Sequence, residues 1–142
     1  MVDLPDVNVW VALSAVDHPF HKAAKNYFET QASDVLAFCR VTAMGFVHVT
    51  SHRHTFGGDP LSPPEAWKNY ERWRKRDDVA FVAESPTVES ILRDFVFEGQ
   101  ATPSNWTDLY LAAFAKARGS RLVTFDRGMR DLQGVNILLL EA

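Results

Sequence analysis

Residues 107–126 read TDLYLAAFAKARGSRLVTFD, and the order of patterns within this stretch decides the fold. Thr107–Arg118 is rich in alanine and leucine, as a buried helix is, and Gly119 follows as a natural residue to end it. Arg121–Thr124 then reads as a short strand whose apolar run ends on Asp126. The same alternation extends outward in both directions. Val2–Asp6 reads as a first strand leading into a helix through Asn8–Leu13, and Asp34–Phe38 as a second, buried strand. Pro19 is expected to open a second helix as its first-turn proline, with Phe20, Ala23, Ala24, Tyr27 and Phe28 as the apolar stripe. A third helix is expected through Val41–Val49. Ser62-Pro63-Pro64-Glu65 has the Ser-x-x-Glu spacing of a capping box, so a further helix begins there and carries Trp67, Tyr70 and Trp73-Arg74. Val79–Val82 is a third strand, Thr87–Phe97 a helix, and Val135–Leu140 a last strand.

Strands separated by helices imply βα units and a mostly parallel sheet of about five strands, covered on both faces in a three-layer α/β/α sandwich. The 142 residues suffice for one domain, and no repeat or linker divides residues 1–142. Hydrophobic residues make up 46% of the chain, which excludes a disordered tail. The single cysteine, Cys39, excludes an internal disulfide. The start lacks the basic and apolar regions of a signal peptide, and no run approaches the ~20 apolar residues of a membrane span. The expectation is a soluble, cytoplasmic protein with no membrane contact. The net charge of −3 does not by itself suggest a nucleic-acid binder, yet its distribution is uneven. From Arg40 to Arg76 there are seven Lys/Arg against three Asp/Glu, while residues 1–39 carry two against five and residues 77–142 six against ten. A basic middle between acidic flanks suits a polyanion held beside a carboxylate-lined metal site; a solvated helix face is the plainer reading of the same run.

Ligands of parallel sheets bind outside the carboxyl ends of the strands. Asp6 and Asp126 each follow a strand, and Asp108 sits in the first turn of the helix before the Asp126 strand. Singly, each has a structural explanation: Asp6 as a helix cap, Asp108 as a first-turn acid, Asp126 as a turn former. All three at one end of the sheet are harder to explain that way. Two carboxylates 4 Å apart repel by about 4 kcal/mol at an effective dielectric of 20, so such a pocket needs a cation, a proton or a basic partner. An all-oxygen donor set suits Mg²⁺ or Mn²⁺, ions that activate water and stabilise a leaving alkoxide; phosphodiester hydrolysis is the expected chemistry.

Three blocks, Leu4-Pro5-Asp6-Val7-Asn8-Val9-Trp10, Trp106-Thr107-Asp108-Leu109-Tyr110-Leu111-Ala112-Ala113 and Leu122-Val123-Thr124-Phe125-Asp126-Arg127-Gly128, resemble the signature blocks of PIN-domain nucleases, in particular the VapC-type toxins of toxin–antitoxin pairs. The resemblance implies a PIN-like sandwich, Mg²⁺- or Mn²⁺-dependent cleavage of RNA, a homodimer, and neutralisation by a small VapB-like antitoxin. It makes Asp6, Asp108 and Asp126 the catalytic and metal-holding carboxylates, with Asn8 and Thr124 as supporting polar residues. One departure stands out. The family usually carries a glutamate in a Thr-x-x-Glu pattern on the helix after the second strand, and here that stretch is Thr42-Ala43-Met44-Gly45. Gly45 leaves the fourth carboxylate missing and puts a second metal ion in doubt. Glu98 is only an otherwise unexplained acid near a loop.

Arg40, His48, His52 and Arg53 are expected on a basic, RNA-receiving surface, and Trp106, beside Asp108, is the tryptophan expected to touch RNA. His48 and His52 have zinc-like spacing but no third ligand. Arg72, Arg74, Lys75 and Arg76 suit a helix carboxyl end, and Trp10, Trp67 and Trp73 the core or a dimer interface. The competing functions are a catalytically impaired PIN-like module that binds RNA or protein, and a metal-dependent phosphatase, for which no phosphoryl-accepting motif is present.

Overall fold

A computed structural model of the chain describes residues 1–52 and 59–142. Five strands, β1 (Val2–Pro5), β2 (Val35–Phe38), β3 (Val79–Phe81), β4 (Arg121–Thr124) and β5 (Asn136–Leu139), form one sheet in the order β3-β2-β1-β4-β5. Every pairing is parallel, so the expected sandwich with a five-stranded sheet is the one observed. The helices are α1 (Val7–Ser14), α2 (His21–Thr30), α3 (Arg40–Ser51), α4 (Pro63–Arg74), α5 (Val88–Phe97) and α6 (Trp106–Arg118). One core layer joins α5 and α6 to the sheet through Leu4, Ala37, Leu122, Phe95 and the buried face of α6. The other joins α1 to α4 through Trp10, Tyr27, Phe38, Phe46 and Tyr70. Trp10 is fully buried and stacks on Phe38 with ring centroids 3.8 Å apart. It is a core residue, as expected.

Local chemistry explains the boundaries. Ser62 and Glu65 form the capping box in both directions, and α4 starts there. Gly119 ends α6 in left-handed backbone at φ 65°, the position where a side chain would be strained. One expectation is corrected. Pro19 does not open α2: it sits in a turn closed by the His21 N–H on the His18 carbonyl, and the helix begins only at His21, after Phe20. Proline's fixed φ serves the second position of a turn as well as it serves a helix start. Other limits shift by a residue or two, as helix and strand ends do.

The chain leaves β1 toward β2 on one side, and β4 lies on the other side of β1. The crevice at the carboxyl ends of β1 and β4 is therefore where the direction of winding reverses, the place where open parallel sheets bind ligands.

Candidate functional site

Asp6 follows the last residue of β1, and its backbone N–H still reaches across to the Val123 carbonyl at 2.9 Å. Its side chain then caps α1, accepting the Val9 N–H at 3.0 Å. The other carboxylate oxygen accepts the Thr124 hydroxyl. The same Thr124 oxygen accepts the backbone N–H of Asp126 at 3.0 Å. One buried threonine at the end of β4 thus fixes both acids. Asp126 in turn accepts the Gly128 N–H at 2.8 Å, which opens a short 3₁₀ turn. Asp108 comes from the opposite layer, in the first turn of α6, where the helix dipole favours a negative charge.

The three acids sense one another. Asp108 is pushed up to about 6, by burial first, then by a hydrogen bond with Asp126, then by the charges of Asp126 and Asp6. Burial and two neighbouring acids thus favour the protonated form of Asp108. Asp6 is also raised. Burial is the largest cause; Thr124 and the backbone N–H groups of Val9 and Asn8 oppose it, and Asp126 adds to it. Among the described residues no basic side chain pairs with any of the three.

Among the described residues no three acids, histidines or cysteines are grouped so as to hold a metal ion, Asp6, Asp108 and Asp126 included. Both Asp6 oxygens and one Asp126 oxygen are aimed at protein donors. Each carboxylate oxygen keeps a second lone pair. Hard oxygen donors of this kind suit an ion that retains waters, as Mg²⁺ does, better than a caged one.

The supporting residues divide. Thr124 donates to the Asp6 carboxylate and accepts the Asp126 N–H. Asn8 is exposed, and what serves Asp6 is its backbone N–H. Arg40 begins α3 at the carboxyl end of β2, beside β1 and therefore at the acid-bearing end of the sheet. His48 and His52 stack with ring centroids 5.0 Å apart, at the far end of α3. At 1.5 Å per residue they lie roughly 12–18 Å along the helix from Arg40. Arg53 lies outside the described residues. Trp106 is 51% exposed and lines an open groove of about 500 Å³ with Phe97, Leu92 and Arg93. Gly45 has a packing reason: a Cβ there would meet the Val7 side chain at 2.4 Å, so the place of the fourth acid is filled from α1. Sequence reading missed the Gly128 N–H and the double duty of Thr124. The spacing Thr-x-Asp-x-Gly carries the Gly128 bond and the Thr124–Asp126 bond, each spanning two residues, but not the Thr124–Asp6 bond across 118.

Fold and site together define a parallel α/β protein with three acids, Asp6, Asp108 and Asp126, toward its topological switch point. The PIN domain family model matches residues 4–135. Ribonuclease VapC41 of Mycobacterium tuberculosis is 32% identical over 142 residues, covering 96% of this chain and 97% of the relative. Ribonuclease VapC44 of the same organism is 33% identical over 135 residues, covering 89% and 87%. The chain belongs to the PIN domain family and groups with the VapC ribonucleases, as the three blocks imply. A chain of the VapBC2 complex of Rickettsia felis, solved bound to a promoter DNA fragment, superposes with a TM-score of 0.70 at 13% identity, over 99% of this chain and all of that one. PIN-domain VapC nucleases are metal-dependent in general.

Proposed function

We propose that this protein is a metal-dependent endoribonuclease, the toxin of a VapBC-type pair, that hydrolyses RNA phosphodiester bonds at the pocket of Asp6, Asp108 and Asp126. The observation that carries the reading is the Asp108 carboxyl, raised to about 6 by burial first and then by Asp126 and Asp6, with no basic partner among the described residues. Such a pocket is unstable toward its own charge and gains from a divalent ion. The ion is Mg²⁺ or Mn²⁺, which supplies an activated water and neutralises charge on the phosphate and the leaving oxygen. The chain's own residues prepare that chemistry. Thr124 locks Asp6 and Asp126 in a fixed relation, and the α1 amides hold Asp6 rigid. Asp108 makes no such bond to backbone, and with its raised pKa it would release its proton when it helps hold the ion. The partners are an RNA substrate, a VapB-like antitoxin and a second copy of the chain.

The test is incubation of purified protein with total RNA in Mg²⁺, Mn²⁺ or EDTA, alongside Asp6→Asn and Asp126→Asn. Metal-dependent cleavage absent from both variants is expected. The packing of Val7 into the place of the fourth acid favours one second reading, a PIN-like module with impaired catalysis. RNA binding without cleavage in either metal selects it.

A further inference from the structure

Phe81 ends β3, the edge strand on the β2 side of the sheet, and two arginines from different helices cover its ring. The Arg40 guanidinium carbon lies 4.5 Å from the ring centroid and that of Arg74 lies 5.1 Å away. Arg74 also donates to the Tyr70 hydroxyl at 2.7 Å, which fixes its reach. Both arginines are exposed, and neither pairs with a carboxylate among the described residues. Their neighbour Arg76 differs: Asp78 takes it in a two-pronged ion pair at 2.9 and 3.0 Å. Arg74 is held by Tyr70, but neither guanidinium is neutralised by a carboxylate, and two such charges over one ring favour an anion shared between them.

Its place says which anion. Through β2, Phe81 stands in register with Phe38, and extending the β1–β2 pairing sets Phe38 level with Pro5, the residue before Asp6. Two strand spacings make that about 10 Å across the carboxyl end of the sheet. The geometry points to Arg40 and Arg74, seated on Phe81, as a clamp for one RNA phosphate a short way along the strand from the bond that is cut. This rests on the ribonuclease reading, and it adds a positioning role to an arginine, Arg74, that the sequence explains equally well by its helix end. The clamp binds substrate and transition state alike, so it acts on KM and not on kcat.

The test measures binding of a fluorescent single-stranded RNA by anisotropy across a salt series, without added metal, for the intact chain, Arg40→Gln, Arg74→Gln, the double variant, and Arg72→Gln. Arg72→Gln removes the same charge from the same helix but faces the groove with Leu13 and Ser14, away from Phe81. The double variant is expected to lose about tenfold in affinity and to flatten the salt slope by about 0.7, the value for one phosphate on a single strand. With metal, KM rises by a similar factor and kcat holds. Retention of α-helical circular dichroism shows that the variants are folded. Unchanged affinity in the double variant overturns the clamp, as does an equal loss from Arg72→Gln. Competition by polyglutamate as strong as by RNA of equal charge also overturns it and assigns the pair to an acidic peptide. Because binding is read without metal, a chain that binds RNA through the clamp yet cleaves nothing separates failure of the nuclease reading from failure of the clamp.

Discussion

Asp3 and Asp6 lie three residues apart on the same chain segment, both buried, and the protein treats them in opposite ways. Asp3 is saturated. It takes Arg121 in a two-pronged bond at 2.9 Å, the Tyr27 hydroxyl at 2.6 Å and both the hydroxyl and the N–H of Ser33. Burial alone would raise its pKa, but these donors outweigh it and hold the carboxyl below its ordinary value. Asp6, at the other end of the strand, has a hydroxyl and backbone amides but no cation, and its pKa is raised. One end of β1 spends its acid on stability by tying β1, α2 and β4 together. The other end keeps its acid unneutralised. A buried carboxylate is thus structural or functional according to whether the fold brings it a counter-charge.

The sharpest break of this contrast is to neutralise each acid in turn. Asp6→Asn keeps a side chain able to cap α1, so the unfolding midpoint is expected to hold or rise. RNA cleavage should fall by about a thousandfold, the scale of lost metal-centred charge stabilisation. A variant that cleaves normally removes Asp6 from the reaction. Asp3→Ala leaves Arg121 without its partner and should cost about 3 kcal/mol in urea unfolding, with cleavage per folded molecule unchanged. A loss of activity exceeding the loss of folded protein would show that the two ends of the strand are not independent. Gly45→Ala ranks next, with an expected cost of about 1–3 kcal/mol from crowding Val7. Adding Val7→Ala to it should restore most of that stability; if it does not, Val7 is not what excludes a side chain at position 45.

Much of the contrast was legible beforehand at one end only. Asp6, Asp108 and Asp126 declare themselves because each stands just beyond an apolar run or just inside a helix, and topology then fixes where those ends meet. Short runs such as Leu36-Ala37-Phe38 and Leu122-Val123 are buried on both faces, so the strands could be read as strands. The Asp3–Arg121 bond could not, since its partners are 118 residues apart and each looks like an ordinary surface charge in its own neighbourhood. Arg74 was equally opaque: a basic residue at a helix end has a sufficient local explanation, and only the fold shows Phe81 beneath it. His48 and His52 were legible as a pair on one helix face but not as a pair at the far end of α3, because sequence spacing gives a face and says little about which end meets the site.

The remaining difference between the two ends is in how each responds to protons. Asp3, with its lowered pKa, contributes stability that is present above the ordinary carboxylate range and is lost as pH falls through its folded value. Asp108 has the opposite sign. Its pKa is raised from 3.8 to about 6, so its contribution is fully present below about 4 and is lost as pH climbs through 6. Without metal, acid pH should therefore relieve the pocket while it begins to loosen the Asp3 end. A divalent cation reverses only the first effect, because it favours the ionised carboxyl that burial and its neighbours disfavour. Thermal stabilisation by Mn²⁺ is expected to be small at pH 5 and to grow through pH 6 to a plateau near pH 7. Cleavage in limiting metal should follow the same rise, by up to tenfold per pH unit below 6. Asp108→Asn should weaken that pH dependence of metal stabilisation, leaving the part due to Asp6, and Asp3→Asn should leave it in place. If Asp3→Asn removes it as well, the proton that competes with the metal is not the one on Asp108.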